Sequence, residues 1–290
     1  MAPLDRELLL SCILKKSKEY LFTYPEKKLS AVQIKNLSFL AKKRLKGEPI
    51  AYILGKKEFF GLEFDVNKNV LIPRPETELL VELALKKILD PQFSILSSCV
   101  IDVGTGSGNI IISLIKNTPQ KTRKKISFGA SDISKKALLI AKKNARKHRI
   151  AKYIKFIHSD LLEFLLKKKT NFEKMLIVAN LPYVSSKLYQ KNSRNLKYEP
   201  KTALISQKNG LGYYLKLLDQ IKQLCVSTKY RLQITVYFEI NPEQKKSLQR
   251  YLKQKFPRAK INFFKDLSGK SRTISIEIEK NRKLTKAPIK

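Results

Sequence analysis

The chain has no tryptophan, two histidines and three cysteines. Each scarcity removes a class of function. His148 and His158 are too few for a His-rich metal centre or a Ser-His-Asp triad, and His148 sits in "NARKHRI", a basic helix end that reads as surface. Cys12, Cys99 and Cys225 are odd in number, far apart and without a CxxC spacing, the pattern of reduced, packed thiols rather than of a disulfide or zinc framework. Long apolar runs are missing too. The longest, such as "NIIISLI", are core-sized and too short to span a bilayer. Asp5 and Glu7 interrupt the N-terminal "MAPLDRELLL", which argues against a signal or transit peptide and predicts a cytoplasmic protein.

Acid is also scarce: 24 Asp and Glu face 60 Lys and Arg, a formal net charge of +36. One reading is an acidic partner such as RNA, a ribosome or DNA. The other is a set of solvated faces, because lysines far outnumber arginines and are scattered, as in "KKILD" and "LLKKKT". Charge alone does not choose between them.

What is present is a globular chain. With 290 residues and 43% hydrophobic content it can build one large domain and a small one. Residues 1–57 read as helical: Leu8, Leu9, Cys12 and Ile13 recur at helical spacing. A second helix starts at Ser30 as N-cap and stops at Gly47, with Pro49 beyond. The period then changes in "EFFGLEFDV". Its alternation, followed by Asn67-Lys68-Asn69 and "VLI", predicts a β-hairpin linker over 58–76 with its turn at those asparagines. "PRPET" ends the linker and opens a helix. Over 77–280, strands "CVIDV", "ISFGAS", "YIKFIH" and "MLIVA" alternate with amphipathic helices, which predicts an α/β fold with a mostly parallel sheet covered on both faces. The last two strands, "KINFFKD" and "RTISIEIE", lie close enough to pair antiparallel, and 281–290 reads as a disordered basic tail.

The chemistry lies at strand ends. "DVGTGSGN" sets Gly104, Thr105, Gly106, Ser107 and Gly108 between a strand and a helix, where backbone N–H groups approach a ligand closely. Asp132 ends the next strand, placed to accept both ribose hydroxyls of a nucleoside, and Ser159-Asp160 ends the third, beside an adenine's place. The D-x-G-x-G-x-G form with Asp102 looks like that of S-adenosylmethionine-dependent methyltransferases; a dinucleotide site would prefer G-x-G-x-x-G. The fourth strand ends in Asn180-Leu181-Pro182-Tyr183. The Asn180 side-chain carbonyl and the Leu181 backbone carbonyl can accept the two hydrogens of a planar NH2 group. Pro182 stiffens the turn, and the exposed ring expected for Tyr183 offers a flat face. Adenine N6, cytosine N4 and a glutamine amide all suit such a clamp.

"GEPIAYILGKKEFFGLEFDVNKNVLIPRPETELLVE" (47–82), together with "DVGTGSGN", "HSDLL", "VANLPYVSS", "YEPKTALISQKNGLGYY" and "KDLSGKSRTISIE", resembles the HemK/PrmC family of peptide chain release factor glutamine N5-methyltransferases, in family order over 47–279. The resemblance implies a Rossmann-like class I methyltransferase domain with a seven-stranded sheet, and an N-terminal helical domain that recognises the substrate. It implies S-adenosylmethionine as cofactor. The substrate would be the glutamine of the release factor's Gly-Gly-Gln loop, so class I release factors would be partners, with direct nucleic-acid binding compatible but not required. By position, Gly104 to Gly108, Asp132, Leu161 and Asn180 would hold the cofactor. Asn180, Leu181, Pro182 and Tyr183 would hold the substrate, with Asn180, Pro182 and Tyr183 catalytic. Arg74 and Glu76 would close over the cofactor or serve helix entry. Two departures stand out. Leu181 replaces the family's first proline, which brings the motif close to that of rRNA adenine N6-dimethyltransferases and leaves RNA or DNA adenine methylation as the alternative. "SQKNG" (206–210) replaces a Gly- and Asp-rich stretch.

Overall fold

A computed structural model describes residues 3–93, 97–167, 172–191, 196–228 and 231–280; the expected tail at 281–290 lies outside the described residues. The N-terminal part is helical: α1 (Pro3–Leu14), α2 (Lys18–Thr23), α3 (Ala31–Leu45) and α4 (Ile50–Leu54). Ser30 caps α3 as its sequence suggests. Its hydroxyl accepts from the Gln33 N–H at 3.3 Å and the Gln33 side chain accepts from the Ser30 N–H at 2.9 Å, a reciprocal capping box. Arg44 at the end of α3 reaches Asp5 in α1 at 2.7 Å, which pins the two helices together.

The hairpin is real but its turn lies elsewhere. Strands β1 (Lys56–Phe59) and β2 (Leu62–Asp65) pair antiparallel around Phe60-Gly61, not around Asn67–Asn69, and "VLI" forms no strand. Phe60 and Gly61 both take positive φ, 52° and 68°, the two-residue turn whose twist matches that of its strands. This register turns Phe59 and Phe64 inward against the sheet domain, where both are buried.

The sheet has seven strands: β3 (Ser98–Val103), β4 (Ile126–Asp132), β5 (Ile154–His158), β6 (Lys174–Ala179), β7 (Leu232–Glu239), β8 (Lys260–Lys265) and β9 (Ser271–Lys280). Their order is β5-β4-β3-β6-β7-β9-β8; β3 to β7 run parallel and β9 pairs antiparallel with both β7 and β8. Central strands are mostly apolar and almost wholly buried because both faces are covered. On β6, Met175, Ile177 and Ala179 join one core layer with helices α8 (Gly212–Ser227) and α9 (Lys245–Lys255). Leu176 and Val178 join the other, with α5 (Glu78–Leu89), α6 (Asn109–Lys116) and Ala145 of α7 (Lys135–Lys147). Strand order reverses between β3 and β6, so a crevice opens there at the carboxyl ends of the strands.

Candidate active site

Register assembles the site. Val103 of β3 lies opposite Ser131 of β4 and Ala179 of β6, and Ala179 lies opposite Phe238 of β7. The residues that follow therefore stand in a row across the sheet edge: Asp132, Gly104, Asn180 and Glu239. Three of these were expected from strand ends. Glu239 was missed, although a lone acid closing the apolar strand "ITVYFE" was a usable signal.

The glycine loop is tied down by the Gly104 and Thr105 N–H groups, both donating to the Ser131 carbonyl at 2.8 and 3.0 Å. Asp102, buried beneath it, accepts through Oδ2 from the Thr105 hydroxyl at 2.7 Å and the Ile111 N–H at 3.3 Å. Thr105 and Ser107 thus offer the cleft backbone rather than side chain; the Ser107 hydroxyl donates to Asn109 Oδ1 at 3.1 Å. Gly106, at φ 56°, borders the cleft, and a Cβ there would come no nearer than 4.0 Å, to the Gly104 carbonyl oxygen. Gly108 does not line the cleft. A Cβ there would meet Ile112 Cδ1 at 2.9 Å and Ala141 Cβ at 3.3 Å, so this glycine serves the packing of α6 against α7.

Asp132 accepts from the Gly106 N–H at 2.9 Å and the Ser134 N–H at 2.8 Å, one on each oxygen, and keeps lone pairs toward the cleft. Burial raises its carboxyl above the ordinary range, against those two donors. Leu161 lines the same cleft in a left-handed conformation, φ 54°, its carbonyl accepting from the Ser131 hydroxyl at 3.1 Å. Asp160 also lines the cleft and pairs with Lys216. Arg74 borders it from the linker, bonded to Glu199, which also accepts from the Ile72 N–H at 3.2 Å. Glu76 is exposed in the first turn entering α5 and lies off the cleft, which favours helix entry for it. Neither histidine lines the cleft; both bond backbone carbonyls.

Asn180, Leu181 and Pro182 border the cleft next to Gly104. Asn180 Nδ2 donates to Thr77 Oγ1 at 2.9 Å, and the Thr77 hydroxyl donates to Glu239 Oε2 at 2.6 Å. The Leu181 side chain is buried directly on the loop, its Cδ2 2.9 Å from where a Gly104 Cβ would be, so the clamp and the loop are packed as one piece. The hydroxyl of buried Tyr214 bridges the Leu181 carbonyl at 3.0 Å and the Glu239 carbonyl at 2.5 Å. Tyr183 corrects an expectation: its ring is half-buried rather than exposed, and it faces the neighbouring groove, not the cleft. The cause is Glu239, whose Oε1 accepts the Tyr183 hydroxyl at 3.0 Å and draws the ring inward. Burial, with Glu239 beside it, raises the Tyr183 phenol well above its usual range.

The cleft fits S-adenosylmethionine on its own terms. It has a glycine cradle, a carboxylate at the β4 end and an apolar wall at Leu161. Beneath the loop, and not part of the cleft's lining, Asp102 Oδ1 finds no hydrogen-bond partner among the described residues. Burial pushes Asp102 up to about 7 from its ordinary 3.8, and a cationic ammonium end nearby would bring it down again. Between those values the folded protein binds a proton that the unfolded chain has lost, so stability falls as pH rises through that window. Thermal melts of Asp102→Asn without cofactor are expected to show a shallower slope, the remainder coming from other buried carboxyls such as Asp132.

Residues 1–55 match the PrmC N-terminal domain and residues 97–255 a methyltransferase domain. The N-terminal domain of human METTL16 in complex with SAH shares the fold, with a TM-score of 0.53, 19% identity, and coverage of 82% of this chain and 92% of that one. The release factor glutamine methyltransferase of Dictyoglomus turgidum (strain DSM 6724 / Z-1310) is 33% identical over 273 residues, 94% of this chain and 90% of that protein. That of Coxiella burnetii (strain RSA 493 / Nine Mile phase I) is 42% identical over 224 residues, 77% of this chain and 75% of that one. With both parts of the molecule matched in order and the likeness running nearly end to end, the chain belongs to the release factor glutamine methyltransferase family.

Proposed function

We propose that this protein transfers a methyl group from S-adenosylmethionine to the side-chain amide nitrogen of the glutamine in the Gly-Gly-Gln loop of class I peptide chain release factors, in support of translation termination. The observation that carries this reading is that Asn180 and Leu181 line the cleft beside the glycine loop, with Asn180 Nδ2 turned to Thr77; Asn180 Oδ1 and the lone pair that Tyr214 leaves on the Leu181 carbonyl would be the two acceptors. An amide nitrogen is a poor nucleophile because its lone pair is delocalised. Accepting both its hydrogens holds the nitrogen in place and favours a lone pair aimed into the cleft. When bound, the cofactor supplies an electrophilic methyl carbon on a sulfonium sulfur that leaves with the electron pair. Gly104 to Ser107, Asp132 and Leu161 would hold the cofactor, and Arg74, fixed by Glu199, would border it. Pro182 and Tyr183 brace the clamp. Residues 1–57 form the substrate-recognition domain, the linker over 58–76, which carries most of the hairpin, joins it to the catalytic domain at 77–280, and reaction on a ribosomal factor belongs in the cytoplasm. No helix among the described residues is long and apolar enough to cross a membrane.

The test is a methyl-transfer assay with labelled S-adenosylmethionine, offering purified release factor and total rRNA in parallel, with peptide mass spectrometry to locate the label. Methyl on the loop glutamine is the expected result; label in RNA alone would overturn the reading in favour of adenine methylation. Asp132→Ala is expected to weaken cofactor binding by about 10- to 100-fold, the loss of hydrogen bonds to a charged acceptor, as read by calorimetry. With a net charge of +36, the second-order rate on a release factor is expected to fall as salt rises.

A further inference from the structure

A carboxamide can face either way, and only one face of Asn180 serves an NH2 substrate. If its Nδ2 pointed into the cleft, two donors would confront each other. The structure holds the other orientation through a directed chain of hydrogen bonds. Glu239 is almost fully buried, and each of its oxygens accepts one hydroxyl, Thr77 on Oε2 at 2.6 Å and Tyr183 on Oε1 at 3.0 Å. A threonine hydroxyl has one hydrogen. Once that hydrogen is committed to Glu239, Thr77 Oγ1 presents only lone pairs to its other neighbour. Asn180 must then turn Nδ2 toward Thr77, as it does at 2.9 Å, which leaves Oδ1 without a donor among the described residues.

We propose that Thr77 and Glu239 are positioning residues that set the facing of the Asn180 carboxamide, so that Oδ1, rather than Nδ2, meets the substrate nitrogen. The activity part of this inference rests on the glutamine-amide reading above. The orientation part does not. Thr77 reaches the site from the linker, between the hairpin and α5, and Glu239 reaches it from β7. The acceptor is therefore set only when the linker is docked on the sheet. Thr77 is the N-cap of α5 yet makes no side-chain capping bond, its hydroxyl being spent on the chain to Glu239 instead.

Three variants test the chain. Thr77→Val keeps the shape and removes the hydroxyl; Thr77→Ser restores it; Glu239→Gln keeps the volume but brings an NH2 that can donate to Thr77 and release the Thr77 hydrogen toward Asn180 Oδ1. Each is measured for kcat and KM on a release factor. Each is also examined by 15N side-chain amide spectroscopy of the full chain, with the Asn180 signal assigned by its loss in Asn180→Asp. Thr77→Val and Glu239→Gln are expected to lower kcat by about 100-fold, as for a misaimed reacting group, with KM and S-adenosylmethionine affinity changed little. They are also expected to shift the Asn180 NH2 resonances. Thr77→Ser recovers kcat and signal toward wild type. Asn180 resonances that ignore Thr77→Val would overturn the proposal, as would a loss confined to KM. A wild-type protein that shows the Thr77-dependent signal but leaves release factors unmethylated would sink the substrate reading and leave the orientation chain standing.

Discussion

Asn180→Ala is expected to lower turnover on a release factor by about 100- to 1,000-fold, the range seen when one preorganised hydrogen-bonding group is taken from a reacting centre. The cofactor should still bind within roughly a factor of two, because the glycine loop and Asp132 are held by contacts that do not involve Asn180. Thr77 loses one donor in this variant, but its own hydrogen still reaches Glu239, so the buried carboxylate stays satisfied. Single-turnover methyl transfer and calorimetric titration of S-adenosylmethionine, run on the same preparation, separate the two quantities. Normal turnover would remove Asn180 from the chemistry. A parallel collapse of cofactor binding would mean that the residue serves the loop rather than the substrate.

Gly210→Ala is expected to have the largest effect on stability, although Gly210 lies in a stretch that looks like an ordinary surface turn. It sits at φ 86°, and a Cβ there would stand 2.1 Å from the Tyr183 carbonyl oxygen and 2.5 Å from Gln244 Nε2. Gln244 Nε2 is the group that donates to both the Tyr183 and Asn209 carbonyls, at 3.1 and 3.2 Å, so the methyl would push apart the fastening of the clamp. Left-handed strain costs an alanine about 1–2 kcal/mol. Overpacking against backbone adds about 1–3 kcal/mol, for a total on the order of 2–5 kcal/mol and a fall in Tm of roughly 10 °C. Gly269→Ala is the control. Its φ of 79° is as demanding, but nothing among the described residues lies within 4 Å of the added methyl, so only the conformational part should appear in its melt. Because Tyr183 follows the clamp directly, Gly210→Ala should also depress kcat in the protein that remains folded. Equal Tm values for the two variants would mean that the Tyr183 contact does not constrain the turn.

These two sites show how differently the chain discloses its parts. Asn180 was legible because an amide, a rigid residue and an aromatic end a strand whose neighbours carry a glycine loop and an acid. The departure at 206–210 was visible, but its meaning was not. In the fold, the Val184 N–H donates to the Leu204 carbonyl and the Ser206 N–H to the Val184 carbonyl, both at 2.9 Å, so this stretch is the buttress of the clamp. The Leu181 substitution likewise reads in the sequence as lost rigidity. In the structure its side chain fills the space against Gly104, a contact between segments 77 positions apart. The hairpin was misplaced by sequence for a local reason. Asn67-Lys68-Asn69 is turn-prone, yet Phe60-Gly61 brings Phe59 and Phe64 into the core, and burial of two aromatic side chains outweighs turn preference.

By itself the sequence determined the alternation of strands and helices, the antiparallel closing pair, the glycine loop, the strand-end acids and the Asn180 turn. All of these are written in nearest-neighbour patterns, in residue period, and in the conformations that glycine and proline allow. Tertiary structure alone decided that Thr77, Glu239 and Tyr214 converge on that turn, that Glu199 holds Arg74, and that Tyr183 turns inward. Those residues stand between 25 and 162 positions from their partners, and their hydrogen bonds exist only once the parallel register sets β6 beside β7 and the linker docks on the sheet edge. A buried carboxylate must find its donors wherever the fold delivers them, and no local pattern records where that will be.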